Sequence, residues 1–132
     1  ITDDVPKIVA QLRAWIDDLN IDVVIATGGT GLTGRDSTPE AFAQIVEKDI
    51  PGFGELFRYL SFAKIGTSTV QSRAMAGVAG GTYLFALPGS PSGCRDGWDD
   101  ILRYQLDIRH RPCNFVEIMP RLTESATVRR TG

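Results

Sequence analysis

The chain has 132 residues and a formal net charge of −2, a length that suits one domain with one hydrophobic core and is short for two. A slightly acidic balance argues against a nucleic-acid partner, because neutralising a phosphate backbone needs a concentrated basic face. No apolar run approaches the ~20 residues a bilayer crossing needs, and no basic-then-apolar pattern opens the chain, so a soluble, cytoplasmic protein without a membrane partner is expected.

Along residues 1–20, Thr2, Asp3 and Asp4 offer helix N-caps and Pro6 suits a first turn. Val5, Ile8, Leu12, Trp15, Ile16 and Leu19 recur at helical spacing, which predicts an amphipathic helix of about five turns. Asp3 or Asp4 reads plainly as a cap; a cap at the ligand edge of a sheet could also face a cation. Val23-Val24-Ile25-Ala26 is a continuous apolar strand between helices, the pattern of a parallel sheet covered on both faces.

After that strand comes Thr27-Gly28-Gly29-Thr30-Gly31-Leu32-Thr33-Gly34-Arg35-Asp36, a glycine-rich loop at a strand end. A helix then starts, through a Ser37–Glu40 capping box or with Thr38 as cap and Pro39 at the first position. It runs through Ala41, Phe42, Ile45 and Val46. Asp49 to Gly52 breaks it, and Phe53, Leu56, Phe57 and Leu60 repeat at i, i+3, i+4, i+7 to define the next helix. Phe53, Phe57, Tyr59 and Phe62 crowd both of its sides, so core packing and a subunit interface both stand.

Residues 66–75 are polar and small, a loop or short helix. Ala76 to Val78 and Thr82 to Leu87, joined by Gly80-Gly81, predict two strands and a glycine turn. At Leu87-Pro88-Gly89-Ser90-Pro91 Ser90 can cap a helix begun by Pro91, with Cys94, Trp98, Ile101, Leu102 and Leu106 as its buried stripe. Arg103, Arg109, His110 and Arg111 form a basic cluster whose plain reading is a solvated surface. Asn114 to Met119 alternates well enough for an edge strand. Residues 123–132 are a polar tail, leaving residues 1–122 as the single domain. Cys94 and Cys113 are not in metal spacing and His110 is the only histidine; reduced thiols and no structural zinc are expected, although spacing alone does not exclude a disulfide.

The Gly28 to Thr38 and Pro88 to Pro91 loops would share one carboxyl edge, aiming N–H groups and helix dipoles at an anion. Gly29-Thr30-Gly31-Leu32-Thr33-Gly34 has the bare Gly-x-Gly-x-x-Gly spacing, a weak signal by itself, and Gly-x-x-x-x-Gly-Lys-Ser/Thr is absent, so a phosphate cradle and an empty glycine turn both remain. Asp36 adds a carboxylate that would repel phosphate unless a divalent cation such as Mg²⁺ sat between them, with Asp3 as a candidate partner. No histidine lies near a serine or cysteine in the pattern of a hydrolase. Phosphoryl or nucleotidyl transfer needs mainly positioning and charge neutralisation, so it can run on this sparse set.

Five segments together resemble the MoaB/Mog family of molybdenum-cofactor biosynthesis, and its MoaB branch in particular. They are Thr27-Gly-Gly-Thr-Gly31, Arg35-Asp-Ser-Thr-Pro-Glu-Ala41, Pro51-Gly-Phe-Gly-Glu55 with Arg58, Thr69-Val-Gln-Ser-Arg-Ala74 and Leu87-Pro-Gly-Ser-Pro91. The resemblance implies an α/β, three-layer molybdopterin-binding fold with a mostly parallel sheet flanked by helices, assembled as a homotrimer or homohexamer. It implies Mg-ATP-dependent adenylylation of molybdopterin, giving adenylylated molybdopterin and pyrophosphate; the alternative is a non-catalytic molybdopterin-binding or scaffold protein of the same fold. By the same resemblance Asp36 and Asp3 are catalytic and Asp36 holds the metal. Thr27, Gly28, Gly29, Thr30, Gly31, Thr38, Glu40, Ser72, Pro88, Gly89 and Ser90 bind substrate. The family carries a strand, helix and strand before the position matched by Ile1, and such a segment is expected in the biological protein.

Overall fold

The computed structural model describes residues 4–124. In chain order it runs α1 (Val5–Asp17), β1 (Val23–Thr27), α2 (Thr38–Ala43), β2 (Lys48–Asp49), α3 (Pro51–Ile65), a 3₁₀ segment (Gly66–Gln71), β3 (Met75–Ala79) and β4 (Thr82–Leu87). Next comes α4 (Pro91–Gly97), which continues through a π turn (Trp98–Leu102) into a short α5 (Arg103–Gln105). Asp3 lies outside the described residues, as does the polar tail beyond Glu124.

The sheet order is β1-β4-β3-β2. β1 runs parallel to β4, whereas β3 is antiparallel to both β4 and β2. The α/β class and the flanking helices stand as expected, but the described sheet is mixed where a mostly parallel one is expected. The reason is local: Gly80 and Gly81, with φ of +56° and +86°, form a two-residue hairpin turn of the kind whose positive φ values match strand twist. That turn commits β3 and β4 to opposite directions.

Every residue of β4 is buried, because alternate side chains feed two cores. Tyr83, Phe85 and Leu87 join Phe53 and Phe57 of α3, Ile101 and Leu102 on one face. Leu84 and Ala86 join Leu12 of α1, Val24, Phe42 of α2 and Ile45 on the other. These are the three layers, and each large apolar side chain so buried contributes roughly 1.5–3 kcal/mol.

Several expectations fail for identifiable reasons. The first helix stops at Asp17 because the Asp18 carboxylate accepts the Asn20 N–H at 2.9 Å, a local turn that competes with the helix; Leu19 is left 95% exposed. Asp4 occupies the N-cap without a side-chain cap bond. α2 ends at Ala43, so Ile45 lies in the turn after it and Val46 just beyond that turn. Trp98 is 46% exposed, since the π turn adds a residue per turn and rotates it off the buried stripe. Asn114 to Met119 forms turns, not a strand: the Asn114 side chain donates to the Ile108 and His110 carbonyls and accepts the Glu117 N–H. Phe115 still reaches the core, its ring centroid 4.8 Å from that of Tyr83, and the Tyr83 hydroxyl donates to the Phe115 carbonyl at 2.6 Å. On α3, Phe53 and Phe57 are core, while Tyr59 and Phe62 are exposed.

Candidate functional site

β1 and β4 end in the same row, Thr27 opposite Leu87. The Gly28 N–H then donates to the Leu87 carbonyl at 2.9 Å, so the two strand-to-helix loops leave one edge side by side. Gly29 has φ +70°, and a Cβ there would lie 2.4 Å from the Thr38 hydroxyl. Only glycine permits that approach without strain. The loop uses it to fold back on α2: the Thr38 N–H donates to the Gly29 carbonyl at 3.1 Å and the Thr38 hydroxyl to the Gly28 carbonyl at 3.0 Å.

A residue far along the chain completes the loop. The Arg73 backbone N–H donates to the Thr30 carbonyl at 2.8 Å. Its guanidinium donates to the Gly31 carbonyl at 2.8 Å, to the Asp36 carbonyl at 2.9 Å, and to both carboxylate oxygens of Glu40. Arg58 of α3 holds the neighbouring segment, donating to the Ser72 and Ala74 carbonyls at 3.3 and 2.9 Å. The expected Ser37–Glu40 capping box is therefore absent: Ser37 sits at the N-cap without a side-chain cap bond, and Glu40 is committed to Arg73. The hydrogen bonds between them, with a smaller contribution from the opposite charges, hold Glu40 below and Arg73 above their ordinary values.

The Asp36 carboxylate turns toward its own loop. Its Oδ2 accepts the Thr33 hydroxyl at 2.8 Å and the Thr33 N–H at 2.9 Å. The Thr33 hydroxyl, its amide and the Gly31 amide hold the carboxyl below its ordinary range, with a smaller contribution from Arg73. Hydrogen bonds to the charged form favour it, so Asp36 is a fixed anion.

Gly28, Gly29, Thr30, Gly31, Asp36, Ser72, Pro88 and Gly89 line one cavity of about 390 Å³, with Gln71. Among the described residues, Asp36 is the sole charged side chain in that wall. Ser90 stands in an adjoining hollow of about 150 Å³ that shares Ser72 and Pro88 with the first, and its hydroxyl caps α4 by accepting the Gly93 N–H. Thr27 and Thr38 line a third hollow, under the loop and against α1. Glu40 lines none of these. A larger hollow, about 560 Å³, lies at the opposite strand ends, between Lys48 to Pro51 and Phe115 to Glu124, and holds no motif residue other than Pro51.

Sequence reasoning missed Arg73 and Thr33 as organisers. The available signal was thin: Arg73 is the single cation within residues 66–75. Both cysteines are free thiols; Cys94 is half-buried, its Sγ donating to the Pro88 carbonyl at 3.0 Å. No described helix is long and apolar enough to cross a membrane.

Residues 1–108 match a family model described as "Probable molybdopterin binding domain". The chain is 56% identical over 106 residues to "Molybdenum cofactor biosynthesis protein B" of Escherichia coli (strain K12), a match covering 80% of this chain and 62% of that protein; it thus spans about three fifths of that relative. Among solved structures, a "Molybdenum cofactor biosynthesis protein B" is 35% identical with a TM-score of 0.79, covering 93% of this chain and 71% of the other. The "tungsten cofactor synthesizing protein MoaB from Pyrococcus furiosus" is 32% identical with a TM-score of 0.74, covering 92% and 71%.

Proposed function

Because this chain belongs to the molybdopterin-binding domain family, we propose that the protein works in molybdenum-cofactor biosynthesis as a cytoplasmic Mg-ATP-dependent molybdopterin adenylyltransferase. The observation that carries this reading is the composition of the cavity wall: four glycines whose backbone no side chain covers, Thr30, Ser72, Gln71, Pro88 and one carboxylate, Asp36. Such a wall suits phosphate closely approached by N–H groups, yet its only charge has the wrong sign for a phosphate by itself.

A magnesium ion resolves that conflict. Mg²⁺ is commonly held by one or two carboxylates plus substrate phosphate oxygens, without a protein cage. The donor set fits this mode: Asp36 places one carboxylate in the cavity wall, beside glycines that leave room for substrate phosphate oxygens. Asp36 would hold the ion, with Asp3 a proposed second carboxylate. When bound, the ion would neutralise the phosphates and the developing charge on the leaving group. Gly28 to Gly31 would orient the nucleotide phosphates, while Ser72, Pro88, Gly89 and Ser90 would line the molybdopterin side.

In the reaction the terminal phosphate oxygen of molybdopterin forms a bond to the α-phosphorus of ATP, and the bond from that phosphorus to the bridging oxygen breaks, releasing pyrophosphate. The attacking oxygen is already anionic, so no strong general base is needed. That agrees with a cavity wall free of histidine. The exposed stripe of Leu56, Tyr59, Phe62 and Ile65 on α3, with Val70 beyond it, supports assembly as a homotrimer or homohexamer. Light scattering should show an oligomer of the full-length protein.

The decisive experiment incubates the full-length protein with molybdopterin and Mg-ATP and looks for adenylylated product. Product with release of pyrophosphate is the expected result. Pterin binding without product would make the protein a non-catalytic binder of the same fold.

A further inference from the structure

We infer that Arg73 is the positioning residue of this site, acting on its geometry through the glycine loop without touching the ligand. The inference rests on the functional reading above. An arginine beside a proposed phosphate cavity invites the reading of a phosphate ligand, but the geometry points elsewhere. Arg73 is not part of the cavity wall, and its charge is engaged by Glu40 through two guanidinium nitrogens.

Its remaining contacts all go to loop carbonyls: Thr30 from the backbone N–H, Gly31 from Nε, and Asp36 from Nη2. A peptide unit carries its C=O and N–H on opposite sides. Drawing the Gly31 and Asp36 carbonyls toward one planar fork therefore fixes which way the Leu32 and Ser37 amides face, and the Arg73 backbone N–H, by holding the Thr30 carbonyl, fixes the Gly31 amide. The Gly31 amide supports the Asp36 carboxylate, and Asp36 is the group assigned to the cation. The fork thus sets Asp36 from behind by its carbonyl, while Thr33 sets it from the front by its carboxylate. Arg58 anchors the segment that carries Arg73 by tying Ser72 and Ala74 to α3. Lysine cannot replace this arrangement, because a single ammonium lacks the rigid fork that spans two carbonyls and a carboxylate.

The test compares full-length wild type with Arg73→Lys and Glu40→Gln. Calorimetric titration of Mg²⁺ into protein with ATP measures the half-saturating Mg²⁺, steady-state assays separate kcat from KM, and backbone amide exchange follows residues 28–36. For Arg73→Lys, half-saturating Mg²⁺ should rise and kcat fall by about tenfold or more, the scale seen when a group orienting a metal ligand is removed, with KM for ATP little changed. Glu40→Gln should shift both in the same direction by less. Amide exchange across residues 28–36 should accelerate in both variants, with or without ligand. A rise in KM alone would overturn the inference by making Arg73 a ligand contact, as would unchanged Mg²⁺ dependence and kcat. If wild type neither binds Mg-ATP nor forms product, the functional reading fails on its own, and amide exchange then decides: unaltered exchange in Arg73→Lys overturns the positioning role. Should Arg73→Lys fail to fold, Glu40→Gln carries the same readouts.

Discussion

The two loops at the shared strand edge are built in opposite ways. The Pro88 to Pro91 loop is held by its own neighbours: Ser90 caps the helix that Pro91 begins, and Cys94, one turn on, donates to the Pro88 carbonyl. The Gly28 to Thr38 loop is held from a distance, by Arg73 from beyond the 3₁₀ segment and by Thr38 from across its own width. The self-held loop is uncharged along its length, whereas the other carries Asp36. The contrast teaches that the glycine-rich loop, which carries the carboxylate proposed to hold the cation, takes its support from outside, while the other loop is braced by its own neighbours.

Substitutions can break or sharpen that contrast. The largest effect belongs to the charged loop: Asp36→Asn should lower adenylyl transfer by about 100-fold or more, the scale of losing a key electrostatic group, with the fold unchanged by circular dichroism. Undiminished transfer would reduce Asp36 to a loop cap. Next comes backbone tolerance. Gly29→Ala should cost about 2 kcal/mol or more, since a positive φ alone costs roughly 1–2 kcal/mol for a side-chain residue and the new Cβ would meet the Thr38 hydroxyl. Gly89→Ala, where the Cβ would meet the Gly28 Cα at an ordinary 3.4 Å, should stay within about 0.5 kcal/mol. Thermal unfolding of the pair reads the difference, and equal losses would erase the distinction between the loops.

A smaller effect is expected at the self-held loop, where Ser90→Ala removes a helix cap worth about 1 kcal/mol. Chemical denaturation would measure it, and no change would show that Pro91 and Cys94 suffice. The smallest is a pH effect. Thr33 holds the Asp36 carboxyl below its ordinary 3.8, so the favourable interaction of the charged form is complete above that value and is lost only as pH falls through a still lower one. Thr33→Val should move the titration up toward 3.8, as read by carbon NMR of the Asp36 carboxyl; an unmoved midpoint would contradict the role of the hydroxyl.

The same contrast separates the features that are legible in the sequence from those that are not. Ser90-Pro91, Gly80-Gly81 and the Phe53/Phe57 spacing act within a few residues, so propensity and periodicity reveal them. Gly28 to Gly31, Asp36, Ser72, Pro88 and Gly89, which share the cavity, are recognisable from motif and strand-end logic. What is not legible depends on partners more than thirty positions apart, as Arg73 to Glu40 and to Gly31, or on a competing local turn, as Asp18 and Asn114. Glu40 is instructive: its capping-box spacing is real, but a bidentate guanidinium outcompetes a single backbone amide for a carboxylate.

The pairing of Val23–Thr27 with Tyr83–Leu87 joins strands 60 positions apart in the chain. The cavity floor is the end of that pairing, so it cannot preform in a partly ordered chain: it exists only once the longest closure in the sheet has been made. A ligand that binds there stabilises the whole domain by mass action, in proportion to the logarithm of its saturation. The protein should therefore resist heat and proteolysis according to how much substrate surrounds it, and its abundance in a cell would follow the supply of the molecules it acts on.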